Sequence, residues 1–289
     1  MTEYGIAFKR ARKSKNMSQS EVAYGILSAA ALSKFENEKS TISADKFVQL
    51  LDRIRMSFEE FSFIYLDDLE NSQSSFLLNL SQARQNENII QIQQLINKEL
   101  NLFQLNNNII HKHNITHCNQ VINNILSKPY DMVEVDKIYD FLFSIVNWGY
   151  YEVSLFANMI FCFNINQIRH LSKEATKKTL LYKRLSKNRF DLVILLQNIV
   201  SRLIKEQILE SAKDLLGEVD ELLRNTQYLY EMNRQKYLYG LYYIMFGDVE
   251  AGKKKCMEAI HIFSEFNLYS KAISLQKEME AAIASIEAK

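Results

Sequence analysis

The 289-residue chain contains only seven glycines and a single proline, Pro129. β-Sandwiches, β-barrels and glycine-rich phosphate loops need repeated turns with positive φ, which glycine supplies most readily. Such scarcity nearly excludes those structures. Hydrophobic residues make up 47% of the chain and charged residues 24%, a balance typical of globular proteins. The sequence therefore predicts an all-α protein with enough residues for about two domains.

Charge and cysteine content restrict the function and the compartment. The 35 Lys and Arg residues nearly balance the 34 Asp and Glu residues, so any binding to nucleic acid must come from a local patch. Cys118, Cys162 and Cys256 form no CxxC motif, which suits a reducing cytosol. The first residues lack the apolar core of a signal peptide, and no stretch of about 18 apolar residues is present. We expect a soluble, cytoplasmic protein without membrane contact.

Residues 1–66 predict a domain of five short helices. The first helix spans about residues 3–15, and the next four begin after Ser18, Ser28, Ser43 and Ser57, residues that favour helix N-caps. Glu21 follows Ser18 at capping-box spacing. The acidic and polar run 67–72 is the predicted linker.

Residues 73–289 predict about eleven longer helices separated by short breaks. A period near 35–40 residues indicates a degenerate α-solenoid similar to tetratricopeptide repeats (TPR), closed by a C-terminal capping helix. The best repeat spans 233–266, where Gly240, Gly252 and Ala259 occupy the small-residue positions and Gly247 with Asp248 forms the turn.

The N-terminal pattern Ser18-Gln19-x-x-Val22-Ala23, followed by Ser28 and Leu32-Ser33-Lys34-Phe35-Glu36-Asn37, resembles the helix-turn-helix of the Cro/repressor (XRE-like) class. Two departures are a spacing from Ser18 to Ser28 that is one residue shorter than in phage repressors, and Glu38 where many members have glycine. The resemblance implies a buried structural ion pair between Arg12 and Glu36. It also implies double-stranded operator DNA as a partner.

The same resemblance assigns candidate DNA contacts. Gln19 corresponds to a phosphate-binding glutamine, and Ser28 caps the recognition helix. The groove-facing residues would be Ala29, Ala30, Ser33 and Lys34. Because the alanines offer only methyl groups to thymine, we expect strong reliance on DNA shape and backbone contacts. Lys9, Arg10, Lys13 and Lys39 are further phosphate candidates, although a solvated charged face is the alternative.

A helix-turn-helix followed by roughly 220 residues of helical repeats resembles the Rgg-type regulators of the RRNPP family. The residues that carry this likeness are Gly5-Ile6, Arg10-x-Arg12-Lys13, Ser33-Lys34-Phe35-Glu36 and Trp148-Gly149-Tyr150-Tyr151-Glu152. The resemblance implies a cytosolic transcriptional regulator whose repeat domain binds a short signalling peptide. It also implies a homodimer, and RNA polymerase is a further candidate partner. Segment 1–66 has a net charge of only +2 (ten basic minus eight acidic residues), which independently favours a second copy for useful DNA affinity.

Repeat register predicts which side chains face the concave groove. With Gly240 at the eighth position of its repeat, Arg234, Tyr237 and Leu241 face inward. The same offset from Ala212 gives Gln197, Asn198 and Ser201, and from Gly149 gives Tyr139 and Phe143. Amide side chains suit peptide main-chain recognition, and Arg234 suits a carboxylate. The alternative for each is an ordinary inter-helix or solvated residue.

Other features give weaker indications. The sequence has no catalytic motif, so neither an enzyme nor a cofactor is expected. His111, His113, His117 and Cys118 are close in sequence, but a helix start near Asn114–Thr116 would separate the histidines, so no metal site is predicted and their role stays open. The basic run over 169–189 is a solvated face, an acidic-peptide site or a DNA contact.

Two other readings remain open: a helical-repeat scaffold for a protein partner, and a phage- or antitoxin-type repressor without a ligand. The sequence leaves open the operator, the peptide, the target genes, activation versus repression, and whether the peptide changes DNA affinity.

Overall fold

The structure is a computed structural model that describes residues 4–66, 73–180 and 186–287. All regular elements within these ranges are α-helices, which confirms the predicted fold class. Sixteen helices occur there: α1 (Tyr4–Ser14), α2 (Gln19–Ala23), α3 (Ala29–Glu36), α4 (Ala44–Arg53), α5 (Phe58–Leu66), α6 (Gln73–Gln85), α7 (Ile89–Asn106), α8 (Ile109–Ile125), α9 (Met132–Ser144), α10 (Tyr150–Met159), α11 (Ile165–Lys178), α12 (Ser186–Lys205), α13 (Leu209–Leu223), α14 (Leu229–Phe246), α15 (Val249–Glu265) and α16 (Tyr269–Glu287). None of the described helices has both the length and the apolar character needed to cross a membrane.

The chain forms two compact units, one up to Leu95 and one from Ile96. The predicted linker 67–72 lies outside the described residues. A domain boundary directly after residue 66 therefore stays a prediction.

The core of the first unit explains why the N-terminal helices assemble. Helix α1 packs against α3 and α5, and α2 packs against α3 and α4. Phe8, Leu32, Leu50, Ile54 and Phe61 are fully buried between them. Burial of each such side chain contributes about 1.5–3 kcal/mol, so these five residues supply a large part of the stability of the bundle.

Serine caps set the starts of these helices. Ser18 Oγ accepts from the Glu21 amide at 3.2 Å, and Glu21 Oε2 accepts from the Ser18 amide at 2.6 Å. The same reciprocal pair joins Ser57 and Glu60. Because two unpaired helix amides are satisfied each time, the helix starts predicted after Ser18 and Ser57 are confirmed.

In the second unit, alternate helices form one layer. Helix α10 packs on α12, α12 on α14, and α14 on α16. The intervening helices α13 and α15 form hairpins with α12 and α14, whereas α9 packs on α11. Alternation of this kind is the arrangement expected of helix-pair repeats.

The α14–α15 hairpin is held by two glycines. A Cβ atom on Gly240 would lie 2.5 Å from Cys256 Sγ and 2.8 Å from Gly252 O, so no larger residue fits without displacement. Gly247 ends α14 with φ +107°, in the left-handed region that glycine adopts at low cost. The small-residue positions predicted for this repeat therefore correspond to a close approach of two helix backbones.

One predicted helix start is wrong. Helix α8 begins at Ile109 and not near Asn114–Thr116, because Asn108 Oδ1 accepts from the Ile110 amide and caps the helix. His113 and His117 consequently lie four residues apart within one helix, and both are buried.

Candidate functional site

The helix-turn-helix consists of α2, a short turn and α3. Gly25 in the turn has φ +75°, which lets the chain reverse within fewer residues. Ser28 Oγ accepts from the Ala31 amide at 3.1 Å and fixes the start of α3. This local geometry accommodates the spacing between Ser18 and Ser28.

Helix α3 has one buried and one outward face. Leu32, Phe35 and Glu36 are buried in the unit. The predicted groove residues occupy the other side: Ala30 and Lys34 are exposed, and Ala29 and Ser33 are half-buried. The structure thus places these four residues on a single outward surface that is accessible to DNA.

Arg12 and Glu36 form a bidentate ion pair beneath the recognition helix. Arg12 Nε lies 2.6 Å from Glu36 Oε1 and Nη2 lies 2.8 Å from Oε2, and the Glu36 side chain is fully buried. The hydrogen bond to Glu36 raises the pKa of Arg12, so the guanidinium stays charged. Arg12 Nη1 also donates to Met17 O at 2.6 Å and so ties α1 to the segment before α2.

Gln19 belongs to this network. Its Nε2 donates to Glu36 Oε2 at 2.7 Å, which fixes the side chain at the start of α2. An amide nitrogen carries two hydrogens, so one remains for a phosphate oxygen. The ion pair therefore positions Gln19 as well as α3.

The basic candidates differ in where they point. Lys9 Nζ donates to Asn37 Oδ1 at 2.8 Å, at the end of the recognition helix. Arg10 Nη2 donates to Ile64 O of α5 at 3.1 Å and is a helix–helix contact in this structure. Lys13 and Lys39 are exposed.

Two residues beside the recognition helix were missed from the sequence. Asn37 connects Lys9 to Ser33, because its Nδ2 donates to Ser33 O at 2.8 Å. Tyr24 lies in the turn before α3 with 79% of its surface exposed. The sequence signal for Tyr24 is its place in the turn, beside Gly25.

A groove lies along the layer of α12, α14 and α16. We name it the α12–α14–α16 groove and define it by Asn198, Ser201, Arg234, Leu241, Lys271 and Glu278. Arg234 Nη2 donates to Asn198 Oδ1 at 2.6 Å, so the structure brings together two of the predicted ligand-binding residues. Ser201 and Leu241, also predicted, line a cavity of about 360 Å³ in the same groove.

Gln197 and Tyr237 are packed inside this layer. Gln197 Nε2 donates to Glu231 O at 2.8 Å, and Tyr237 Oη donates to Leu275 O at 2.7 Å. Gln197 has no exposed surface and Tyr237 has 1%. Burial raises the pKa of the Tyr237 hydroxyl, which therefore stays a donor. The structure thus places both residues in inter-helix contacts that hold α12, α14 and α16 in register, and not on the open surface.

Tyr139 and Phe143 lie elsewhere in the unit. Both belong to α9, which packs on α11. Tyr139 Oη is 3.3 Å from His170 Nδ1, and Lys178 Nζ lies 5.1 Å from the centre of the Phe143 ring. The structure therefore does not bring these two residues into the groove. The offset from Gly149 failed because Gly149 is the N-cap of α10, where its amide donates to Glu152 Oε2 at 2.8 Å.

The remaining candidates are structural contacts where they are described. His111 Nδ1 lies 2.7 Å from Glu99 Oε2, and His113 Nδ1 lies 2.7 Å from Tyr151 Oη. Among the described residues no group of three or more His, Cys, Asp or Glu side chains is arranged to hold a metal ion. In the basic run, Lys178 pairs with Glu174 at 3.2 Å. Lys183 and Arg184 lie outside the described residues, as does the side chain of Lys187.

Comparison with known families matches both parts of the chain. The family of the HTH-type transcriptional regulator Rgg, C-terminal domain, matches residues 97–277. A helix-turn-helix family matches residues 8–61.

Solved structures share the fold over nearly the whole chain. The SHP pheromone receptor Rgg2 of Streptococcus dysgalactiae is 23% identical, with a TM-score of 0.82 over 96% of this chain and 99% of that one. A Listeria monocytogenes EGD-e protein is 22% identical, with a TM-score of 0.85 over 99% of this chain and 98% of that one. The PrgX/cCF10 complex is 15% identical, with a TM-score of 0.73 over 97% of this chain and 99% of that one.

The Rgg family match extends over more than half of the chain, and the helix-turn-helix match includes α2 and α3. The chain therefore belongs to the Rgg family of HTH-type transcriptional regulators and is not an enzyme.

Proposed function

We propose that this regulator binds operator DNA as a homodimer and is gated by a short signalling peptide that occupies the α12–α14–α16 groove. The observation that carries the peptide part is the hydrogen bond between Arg234 and Asn198 in a groove that also contains a cavity further along the same helices. An amide side chain offers both a donor and an acceptor to a peptide backbone, and a guanidinium recognises a carboxylate.

Two similar structures support this proposal. Rgg2 of Streptococcus dysgalactiae is described as an SHP pheromone receptor, and PrgX has been solved as a complex with cCF10. Both share the fold of this chain over nearly its whole length. Our assignment of a peptide to this chain rests on that shared architecture together with the groove.

The DNA-binding part rests on the outward face of α3. Lys34 is the exposed cation on that face, and Lys9 and Lys39 lie at its end. Phosphate and base contacts from one such module are few, so the homodimer supplies a second module. Two recognition helices would then read half-sites about 34–36 Å apart, one turn of the duplex.

Gating follows from differential binding. A peptide that binds one arrangement of the second unit more tightly shifts the population toward that arrangement. Because α12, α14 and α16 all contribute to the groove, a ligand there contacts three successive repeats at once. RNA polymerase is the candidate partner through which bound regulator would change transcription.

The test uses a labelled duplex from the region upstream of the gene and a synthetic peptide from the neighbouring open reading frame. Fluorescence anisotropy with the full chain should show DNA binding that Lys34→Ala weakens, while Lys277→Ala, an exposed lysine of α16, leaves it unchanged. Transcription in vitro from the same duplex should change when the peptide is added. If no peptide changes either DNA affinity or transcription, the result would favour a ligand-independent repressor. A response to a protein and not to a peptide would favour the scaffold alternative.

A further inference from the structure

Helix packing brings two cations of the α12–α14–α16 groove to the same level: Tyr237 Oη of α14 donates to Leu275 O of α16, and Arg234 and Lys271 precede these residues by three and four positions. Arg234 projects from α14 and Lys271 from α16, and both are partly buried. Burial lowers the pKa of both groups and is the main cause of the shift in each. The positive charge of Arg234 lowers the pKa of Lys271 further. The fold therefore holds two like charges within electrostatic range of each other and partly out of water.

No carboxylate pairs with either cation in the part of the chain that the structure describes. Glu278 attracts both charges and Glu231 attracts Arg234, but among the described residues neither carboxylate forms an ion pair or a hydrogen bond with Arg234 or Lys271. The hydrogen-bond partner of Arg234 is the neutral amide oxygen of Asn198. Partly buried charges without a close partner are costly, so the arrangement favours an added anion.

A largely apolar cavity lies further along the same three helices, toward their C-terminal ends. Its apolar walls come from three helices: Ile204, Leu241, Met245, Ala281 and Ala282. The polar residues that also line it are Ser201, Lys205, Gln207, Glu278 and Ser285. The volume of about 360 Å³ is at the small end of ligand pockets, so it suits a side chain and not a whole peptide.

Helix geometry gives the rise along α14 and α16 from the two cations to residues that line the cavity. Leu241 comes seven residues after Arg234, and Glu278 comes seven residues after Lys271. Seven residues of α-helix rise about 10.5 Å, and an extended peptide covers that distance in about three residues.

We infer that Arg234 and Lys271 form a carboxylate-binding site, and that the cognate peptide carries a large apolar side chain about three residues from that carboxylate. This inference rests on the proposed peptide-sensing function and specifies its ligand. The carboxylate comes either from the peptide C-terminus or from an Asp or Glu side chain, since both present the same two oxygens.

The experiment uses the full chain and two pools of random synthetic octapeptides, one with free C-terminal acids and one with C-terminal amides. Bound peptides are recovered by gel filtration and sequenced by mass spectrometry. Selection from the acid pool alone, with an apolar residue about three positions before the end, identifies the C-terminal carboxylate. If the peptides recovered from both pools carry Asp or Glu about three residues from an apolar residue, the carboxylate belongs to that acidic side chain. Either result supports the inference.

Apolar enrichment without any preference for a carboxylate would overturn the carboxylate site while leaving peptide sensing intact. Failure of both pools to bind would overturn the inference and the proposed function together. These outcomes separate the two proposals.

Affinity measurements with one selected peptide complete the test. Lys271→Gln should weaken binding about tenfold or more, because a hydrogen bond between charged groups is lost, whereas Lys277→Gln on the same helix should not. Against the same peptide with its carboxylate converted to an amide, Lys271→Gln and the parent protein should bind equally. An equal loss with both peptides would refute a carboxylate contact.

The cavity has its own pair of variants. Ala281→Phe should fill the cavity and weaken the selected peptide, and Ala284→Phe, on an exposed position of α16 that does not line it, is the control. Unchanged affinity with Ala281→Phe would show that the apolar side chain binds elsewhere.

Discussion

Replacement of Arg12 by alanine is the sharpest test of how the DNA-binding helix is held. Arg12 donates two hydrogen bonds to Glu36 and one to Met17 O, and its removal leaves the Glu36 carboxylate buried with the Gln19 amide as a side-chain donor. Loss of one partner of a buried ion pair costs about 3–5 kcal/mol. A small domain is stable by about 5–15 kcal/mol, so this single change should remove about a fifth or more of the stability of the first unit.

Urea unfolding of the full chain can resolve the effect unit by unit. Amide hydrogen exchange over α1–α5 follows the first unit, while the fluorescence of Trp148, the single tryptophan of the chain and fully buried in the second unit, follows the other. With an m-value of about 1 kcal/mol/M, the α1–α5 midpoint should fall by about 3–5 M while the Trp148 midpoint stays in place.

Lys13→Ala, an exposed change on the same helix, should shift the α1–α5 midpoint by less than about 0.5 M. The double variant Arg12→Leu with Glu36→Leu should be more stable than Arg12→Ala, because it leaves no unpaired buried charge. If Arg12→Ala unfolded at the same urea concentration as the parent protein, the ion pair would not stabilise α3 and the reasoning would be refuted.

Three further predictions concern packing, pH and DNA. Gly240→Ala should lower the Trp148 urea midpoint through overpacking of about 1–3 kcal/mol, whereas Gly217→Ala, whose Cβ meets no atom within 4 Å, should be neutral or stabilising; equal effects would contradict the close helix approach. Burial lowers the pKa of His113 from 6.5 to about 4, so the unfolded chain binds a proton at higher pH than the folded chain, and stability falls as the pH drops from about 6.5 to 4. His113→Gln should flatten that part of a plot of the urea midpoint against pH. An unchanged slope would show that other groups cause the loss of stability. Lys34→Ala should weaken DNA binding in an anisotropy titration without moving the α1–α5 midpoint, because Lys34 is exposed; intact affinity would remove it from the recognition surface.

Local chemistry made the N-terminal fold predictable. Ser18 and Ser57 each stand three residues before a glutamate, and a reciprocal cap needs no tertiary context to form. Near the start of α8 the same logic failed, because Asn108 and Asn114 are both capping residue types. Only the packed structure selects Asn108, whose side chain accepts from the Ile110 amide, and places Asn114 within the helix, where it donates to Glu99.

The groove shows the limit of register arguments. The offsets from Gly240 and Ala212 select residues of α14 and α12. Adjacent residues such as Gln197 and Asn198 point about 100° apart around a helix, however, and the sequence does not say which one is buried. Lys271 was missed altogether, since its partner Arg234 lies 37 residues earlier and only the packing of α14 on α16 brings them together.

The most direct test of peptide gating is a calorimetric titration of the full chain with the synthetic peptide from the open reading frame beside the gene. Our account predicts a dissociation constant in the micromolar range or tighter, weakened about tenfold by Asn198→Ala and by Arg234→Ala, because both side chains face the groove. It also predicts no change with Lys277→Ala. Absence of binding, or binding that neither groove variant affects, would contradict the assignment of the α12–α14–α16 groove as the peptide sensor.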